Sequence, residues 1–217
     1  MPPTLPPRGL YAVTPTWMTD VEELLQRVEQ AINGGAVMVQ YRAKCTAQES
    51  HARALLNLCG KLGVPLIIND DAALASKIGA DGVHVGVDDM SLSEARKLMG
   101  PQAIIGISCY NDYRRAQTAV ADGASYVAFG SFFTSPTKPN AVRAPLDLLS
   151  RASSEFNVPV VAIGGITPEN GGSLIEAGAD FLAAIDGLFG SGDVLNTARR
   201  YAALFATRTI AHTGIGR

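Results

Sequence analysis

Polar residues that could bind a phosphate, a metal ion or a polar ring follow several short apolar runs of the sequence. The first group is Gln40-Tyr41-Arg42-Ala43-Lys44, and alternation along an extended chain places Gln40, Arg42 and Lys44 on one side. Two cationic side chains and an amide on the same side could bind a ligand in which an anionic group is joined to a polar ring. The same spacing is also compatible with a solvated strand end.

Acidic residues follow the next two apolar runs. Asp70 and Asp71 end one run, and Asp88 and Asp89 come shortly after Gly86, which ends the next. If these runs are adjacent parallel strands, about 4.8 Å apart, carboxylates from both can reach one cation. Mg²⁺ accepts one or two carboxylates together with water and phosphate oxygens. The sequence therefore predicts a magnesium site, with helix capping by Asp70 or Asp71 as the alternative.

Hydroxyls and glycines follow the later runs. Ser108 lies near the end of the fifth run and could donate to a phosphate oxygen or cap a turn. The sixth run leads into a hydroxyl-rich stretch, 130–139, which contains Lys138 and is longer than such connections usually are. This length favours a loop that covers or holds a phosphate. Gly164 and Gly165 precede a helical pattern, where backbone N–H groups could approach a phosphate.

These residues need elements to position them, and a short apolar run followed by a helical pattern recurs eight times. The predicted strands are Gly9–Thr14, Ala36–Arg42, Pro65–Asp70, Gly82–Gly86, Ala103–Cys109, Tyr126–Phe132, Pro159–Gly165 and Phe181–Asp186. Several are apolar on both faces, as in parallel sheets covered on both sides. An open doubly wound sheet is the alternative, which the lack of a GxGxxG segment after the first run disfavours.

The repeats predict an α/β protein, a single (β/α)8 TIM barrel over residues 1–217. We expect a short flexible arm at 1–8 and a loose tail at 208–217. In such barrels the chemistry lies at the carboxyl ends of the strands, which is where the polar groups occur.

The composition limits the partners. A net charge of −2 argues against a nucleic-acid partner. Cys45, Cys59 and Cys109 are odd in number and widely spaced, so we expect reduced thiols. The start lacks the apolar region of a signal peptide, and no run reaches the ~18 residues needed to span a membrane. We expect a cytoplasmic protein without a membrane partner. The sequence is compatible with a homo-oligomer and does not fix the oligomeric state.

In their order along the chain, these segments resemble the thiamine-phosphate synthase family from Gly9 to about Phe205. The matching segments are QYRAK (40–44), INDD (68–71), DGVHVG with Asp89 (81–89), GIS (106–108), SPTK (135–138) and AIGGI (162–166). The family joins 4-amino-2-methyl-5-(diphosphooxymethyl)pyrimidine to a thiazole phosphate, or its carboxylated form, and releases diphosphate. The resemblance implies an Mg²⁺-dependent transferase of thiamine biosynthesis that acts on small phosphorylated molecules.

The resemblance also implies a role for each matching residue. The pyrimidine diphosphate would be held by Gln40, Tyr41, Arg42, Ala43, Lys44, Asn69, Ser108 and Lys138. Mg²⁺ would be held by Asp70 and Asp89. The thiazole phosphate would be held by Ser135, Pro136, Thr137, Gly165, Ile185 and Asp186. Charge neutralisation of the departing diphosphate makes Arg42, Lys44, Ser108 and Lys138 the predicted catalytic residues.

No side-chain nucleophile is implied. The pyrimidine methylene would leave as a resonance-stabilised cation, which the thiazole nitrogen captures, so alignment of the two substrates supplies much of the rate. His84 lies inside the fourth run and is predicted to be a hydrogen-bonded interior residue rather than a catalytic base.

Four positions depart from the family pattern. Val87 replaces the usual Gln, Ser131 replaces a common Pro, Ser135 replaces a Thr, and Asp186 replaces a Ser. A carboxylate at position 186 would repel the thiazole phosphate unless it turned away or were neutralised.

Two other functions are considered. A thiazole tautomerase shares the barrel, but it holds no diphosphate and so does not need the combination of INDD, Asp89 and Lys138. The other alternative is a non-catalytic barrel that binds thiamine precursors, which is retained because Val87 and Asp186 depart from the family pattern.

Overall fold

Eight parallel strands close into a barrel in which each strand pairs with the next and the last pairs with the first. A computed structural model describes residues 4–43, 48–134 and 142–206. The strands are β1 (Gly9–Val13), β2 (Ala36–Tyr41), β3 (Leu66–Asn69), β4 (Gly82–Val85), β5 (Ile104–Tyr110), β6 (Tyr126–Phe129), β7 (Val160–Ile163) and β8 (Phe181–Ala184). The helices are α1 (Val21–Asn33), α2 (Glu49–Leu62), α3 (Ala72–Ile78), α4 (Leu92–Met99), α5 (Tyr113–Ala121), α6 (Leu146–Glu155), α7 (Gly171–Glu176), α8 (Asp186–Phe189) and α9 (Val194–Ala206).

The closed barrel confirms the predicted architecture and excludes the open sheet. Every predicted strand is present, and all but one end within two residues of the prediction. The exception is β6, which ends at Phe129 instead of Phe132. Beyond Phe129 the regular ladder ends, although the Gly130 N–H still bonds to the Tyr110 carbonyl of β5 and the Phe132 N–H to the Ile163 carbonyl of β7.

The strands separate two apolar layers because successive side chains point to opposite faces. Inside the barrel, large side chains fill the core, among them Tyr11, Met38, Ile67, Tyr126 and Phe181. The other faces of the strands pack against the helices in a larger outer cluster. Gln40 and His84 are buried polar residues of β2 and β4, so the interior includes hydrogen-bonding groups that need partners.

The eighth repeat differs from the predicted single helix. The four-residue α8 follows β8 almost directly, and α9 begins only at Val194. Arg27 of α1 donates from Nη1 to the Phe189 carbonyl at 3.0 Å, which ties the end of α8 to the helix layer. Ile185 and Asp186 therefore lie at the carboxyl end of β8, which is the predicted position for residues near the thiazole phosphate.

Several other expectations can be compared with the described residues. Cys59 and Cys109 are buried free thiols, as expected for reduced cysteines, whereas Cys45 lies outside the described residues. The predicted tail at 208–217 also lies outside them. Among the described helices, none has the length and apolar character needed to cross a membrane.

Candidate active site

The carboxyl ends of the strands form one polar face of the barrel, which we call the mouth. Parallel strands bring Gln40 of β2, Asn69 and Asp70 at the end of β3, Asp89 after β4 and Ser108 of β5 to this face. These residues come from four consecutive neighbours in the barrel wall. The predicted juxtaposition of the acidic strand ends is thus present.

Asp70 and Asp89 form a carboxyl pair at the mouth. Loss of hydration, a hydrogen bond with Asp89 and the negative charge of Asp89 raise the pKa of Asp70 to about 6, against the opposing charge of Arg42. The Gly86 N–H donates to Asp89 Oδ2 at 2.6 Å, and Asn69 Nδ2 donates to Asp70 Oδ2 at 2.5 Å. Both carboxyl groups are therefore held in place by neighbouring donors.

The helix-capping alternative applies to Asp71 and not to Asp70. The Asp71 side chain accepts the Leu74 N–H at 2.8 Å and so caps α3. Asp70 adopts a φ of 64°, which few residues other than glycine adopt, and its N–H donates to the His84 carbonyl at 2.8 Å. This backbone turn leaves the Asp70 carboxyl group to face Asp89.

The end of β2 is fixed by the end of β1. The Thr14 N–H donates to the Gln40 carbonyl at 2.9 Å, and the Arg42 N–H donates to Thr14 Oγ1 at 2.9 Å. Gln40 is buried inside the barrel, and the charge of Arg42 acts on Asp70. Gln40 and Arg42 therefore lie at the mouth end of β2, and their roles in substrate binding stay predictions.

Tyr41 and Ala43 require a correction. The Tyr41 side chain lies in the outer cluster, and its hydroxyl accepts the Gln48 N–H at 3.3 Å. Ala43 also packs against the outer cluster. Since side chains alternate along the strand, the neighbours of Gln40 and Arg42 must point away from the mouth. Their predicted contribution to substrate binding is limited to backbone atoms.

A chain of hydrogen bonds crosses the barrel interior. Gln40 Nε2 donates to the Tyr11 hydroxyl at 2.8 Å, and the Tyr11 and Tyr126 hydroxyls lie 2.9 Å apart. His84 Nδ1 lies 3.0 Å from the Tyr126 hydroxyl, and its Nε2 lies 2.8 Å from Ser108 Oγ. Burial lowers the pKa of His84 to about 4, so the ring is neutral near pH 7. The prediction of an interior hydrogen-bonded histidine is confirmed.

Arg115 of α5 connects two segments of the mouth. Its Nε donates to the Ser108 carbonyl at 2.7 Å, and its Nη2 donates to the Gly86 carbonyl at 3.0 Å. Gly86 in turn donates to Asp89. One guanidinium group therefore positions both the serine and the acidic segment, which its planar fork of donors makes possible.

A second part of the mouth is a cavity of about 130 Å³ between the ends of β7 and β8. Gly164, Gly165, Ile185 and Asp186 are among its lining residues. Gly165 has a φ of 63°, and a Cβ there would overlap backbone atoms of Thr134. The glycines leave part of the wall without side chains, so a phosphate could approach the backbone.

Asp186 lines this cavity and also contacts the loop after β1. Its Oδ1 accepts from Trp17 Nε1 at 3.5 Å. The Arg27 guanidinium lies 5.8 Å from the centre of the Trp17 ring. The carboxylate that replaces the family's serine is therefore drawn toward the Trp17 side of the mouth.

Some predicted residues lie outside the described residues: Lys44, Ser135, Pro136, Thr137 and Lys138. Their roles stay predictions. Val87 is described, and its side chain is 55% exposed.

Sequence reasoning missed Tyr11, Tyr126, Arg115 and Trp17. A signal existed for the tyrosines, because both lie at interior positions of otherwise apolar strands, where a hydroxyl needs a partner. No spacing rule links Arg115 or Trp17 to the mouth, since both act across the fold.

A family model described as thiamine monophosphate synthase matches residues 10–188. The chain is 52% identical over 202 residues to the thiamine-phosphate synthase of Azoarcus sp., covering 92% of this chain and 98% of that protein. It is 50% identical over 201 residues to the thiamine-phosphate synthase of Thioalkalivibrio sulfidiphilus, covering 91% and 95%. The solved thiamine phosphate pyrophosphorylase from Pyrococcus furiosus superposes with a TM-score of 0.81 at 28% identity, covering 92% of this chain and 96% of that one.

Proposed function

The chain belongs to the thiamine monophosphate synthase family, and we propose that it couples the pyrimidine methyl diphosphate to thiazole phosphate. As a member of this family it is a transferase of thiamine biosynthesis. The observation that carries the specific proposal is the Asp70–Asp89 carboxyl pair, which lies beside Arg42 in the wall that also presents Ser108.

The carboxyl pair supports an Mg²⁺ site by the chemistry of its donors. Two carboxyl groups close enough to share a hydrogen bond repel each other when both are ionised, and a divalent cation removes that repulsion. Within the described ranges, no group of three or more possible metal-binding residues comes together. Two carboxylates suit Mg²⁺, which fills its remaining positions with water and phosphate oxygens. When bound, Mg²⁺ neutralises the charge of the departing diphosphate.

This chain's own residues complete the diphosphate half of the site. Gln40 and Asn69 hold the pyrimidine diphosphate, and Arg42 binds the phosphate oxygens. Ser108 donates its hydroxyl proton in a hydrogen bond to a phosphate oxygen, and Lys44 and Lys138 add positive charge. These groups bind the negative charge that develops as the C–O bond to diphosphate breaks.

The cavity between β7 and β8 forms the thiazole half. Gly165 and the backbone at Ile185 and Asp186 accept the thiazole phosphate, and Ser135, Pro136 and Thr137 complete the contact. Binding at both halves directs the thiazole nitrogen toward the pyrimidine methylene, so that the C–N bond forms as the cation appears. Asp186 turns its carboxylate toward Trp17, which reduces its repulsion of the phosphate.

The test is incubation with both phosphorylated substrates and Mg²⁺, with thiamine phosphate and diphosphate measured together. We expect one diphosphate for each thiamine phosphate formed. Tight binding of both substrates by folded protein without diphosphate release would refute the proposal and favour a non-catalytic barrel. Isomerisation of a thiazole phosphate without coupling would instead favour a tautomerase. We further propose that the reaction takes place in the cytoplasm.

A further inference from the structure

Five polar side chains from five strands form one continuous line through the barrel interior. The line runs from Gln40 through Tyr11, Tyr126 and His84 to Ser108, with successive polar atoms 2.8 to 3.0 Å apart. The three central side chains are each at most 8% exposed. A polar group buried in an apolar core is costly unless each donor finds an acceptor, so the direction of every bond can be worked out.

The direction follows from the number of protons available. The Gln40 amide N–H occupies an acceptor position of the Tyr11 oxygen, so the single Tyr11 proton is free to point to Tyr126. The Tyr126 proton then points to His84 Nδ1, and the neutral ring carries its own proton on Nε2. That proton is donated to Ser108 Oγ. In this arrangement every donor of the line has an acceptor.

The reverse direction leaves a proton unpaired. If Ser108 donated to His84 Nε2, the ring would donate from Nδ1 to Tyr126, and Tyr126 would donate to Tyr11. The Tyr11 proton would then meet the amide N–H₂ of Gln40, and no other acceptor for it lies in the line as the structure describes it. Only rotation of the Gln40 amide by half a turn would satisfy the reversed line. The orientation at Gln40 therefore decides the orientation at Ser108.

We propose that Tyr11, Tyr126 and His84 are positioning residues that hold the Ser108 hydroxyl as a donor toward the diphosphate, in a direction set by Gln40. The inference rests on the proposed function, because it takes diphosphate as the ligand of Ser108. With one Oγ lone pair occupied by the His84 N–H, the Ser108 proton is free for a phosphate oxygen, which can only accept. The same orientation leaves Gln40 Oε1 to accept from a donor on the pyrimidine ring. The two ends of one substrate are thus coupled through the barrel core.

Packing around Tyr126 is consistent with a fixed line. The Tyr126 ring stacks on His84 with an interplanar angle of 17° and meets Tyr11 edge-on at 89°. Gly106 of β5 lies against the Tyr126 ring, and any Cβ at this position would overlap the ring atoms. The glycine of the GIS segment therefore makes the space that the tyrosine of the line occupies.

The first test reads the histidine tautomer directly in the ligand-free full chain labelled with ¹⁵N-histidine. We expect an acceptor-type Nδ1 and a protonated Nε2 at His84, with its signals assigned by their loss in His84→Gln. In Gln40→Glu, the carboxylate can only accept, so it should draw the Tyr11 proton and reverse the pattern. A protonated Nδ1 in the unchanged protein, or a pattern that Gln40→Glu leaves as it was, would overturn the inference.

The second test measures binding of inorganic diphosphate in the presence of Mg²⁺ by calorimetry. Ser108→Ala should weaken binding about tenfold, the effect of losing one hydrogen bond to a charged group. Tyr126→Phe should weaken binding several-fold when Ser108 is present and have no further effect in Ser108→Ala. Equal weakening in both backgrounds would contradict the inference.

Tyr113→Phe is the matched control, since the Tyr113 hydroxyl bonds to Glu155 on the surface, and diphosphate binding should be unchanged. Neither test needs turnover, so a failure of the coupling reaction and a failure of this inference are distinguishable. The tautomer of the unchanged protein decides the case even if a variant does not fold.

Discussion

Asp70 and Asp89, carried by neighbouring strand ends, lie close enough at the barrel mouth for each carboxyl group to act on the protonation of the other. Loss of hydration, together with the hydrogen bond and negative charge of Asp89, raises the pKa of Asp70 to about 6, so the two groups share a proton as the pH falls. A divalent cation can take the place of that proton.

Protons should compete with Mg²⁺ for Asp70. Because the pKa of Asp70 is raised to about 6, activity at limiting Mg²⁺ should fall as the pH drops below about 6. At saturating Mg²⁺ the decline should move to lower pH, because the cation favours the ionised carboxylate. The check is a pair of pH–rate profiles at low and high Mg²⁺. An acid limb that stays at the same pH in both would contradict the assignment of Asp70 as a ligand.

Asp70→Asn should stabilise the protein at pH 7 without Mg²⁺ while abolishing activity. The folded-state pKa lies above the ordinary value of 3.8, because the ionised Asp70 carboxylate has lost hydration and is repelled by Asp89. This destabilisation is fully present above about pH 6 and disappears as the pH falls toward 4. The gain in the free energy of unfolding should reach at most about 1 kcal/mol, since the pair lies at the solvent edge. Urea unfolding in EDTA measures it, with Asp88→Asn as the control. A loss of stability at pH 7 would contradict the account.

The fold and the acidic pair could both be predicted because they depend on local pattern. Apolar runs and the turns between them define the strands, and parallel pairing then brings Asp70 and Asp89 together. The pattern did not decide between Asp70 and Asp71, which are adjacent and chemically identical. The choice depends on the φ of 64° at Asp70, a backbone conformation that the residue types do not reveal.

Arg115→Lys should weaken the diphosphate half of the site. Lysine cannot reach the Ser108 and Gly86 carbonyls together, because it lacks the planar fork of donors. We expect kcat/KM for the pyrimidine diphosphate to fall about tenfold, the effect of one lost hydrogen bond from a charged donor. Arg114→Lys, at the exposed neighbouring position, is the control and should leave kcat/KM unchanged. Equal effects in the two variants would show that Arg115 does not position the mouth.

Gly165→Ala should impair thiazole phosphate binding. A side chain at a φ of 63° is strained by about 1–2 kcal/mol, and its Cβ would overlap the backbone of Thr134 at the cavity wall. We expect the dissociation constant to rise at least tenfold. Gly172→Ala is the control, because a Cβ there meets nothing within 4 Å, and the helix should gain stability. Normal binding by Gly165→Ala would place the phosphate elsewhere.

Asp186→Ser should tighten thiazole phosphate binding. Although its carboxylate accepts from Trp17, Asp186 still lines the cavity and repels an anion there. We expect the dissociation constant to fall by about threefold to tenfold, as for one charge removed near the solvent edge. Asp147→Ser removes the same charge from exposed α6 and should have no effect. A dissociation constant that Asp186→Ser leaves unchanged would show that the bond to Trp17 already removes the repulsion.

The hydrogen-bond partners in the interior line could not be predicted from the sequence. Position and polarity predict an interior His84, but its partners come from strands far apart in the sequence. Tyr126 meets His84 only because the closed barrel puts β6 and β4 on either side of β5 and because Gly106 leaves space for the ring. Tyr41 shows the opposite case, in which a matching segment includes a residue whose side chain faces the helices.

We propose that the mouth is divided into a diphosphate half at β2 to β5 and a thiazole half at β7 and β8. A crystal structure with Mg²⁺, diphosphate and thiazole phosphate tests it most directly. We expect Mg²⁺ between Asp70 and Asp89, a diphosphate oxygen within hydrogen-bond distance of Ser108 Oγ, and the thiazole phosphate beside Gly165. Diphosphate in the cavity between β7 and β8, or Mg²⁺ bound away from the carboxyl pair, would contradict it.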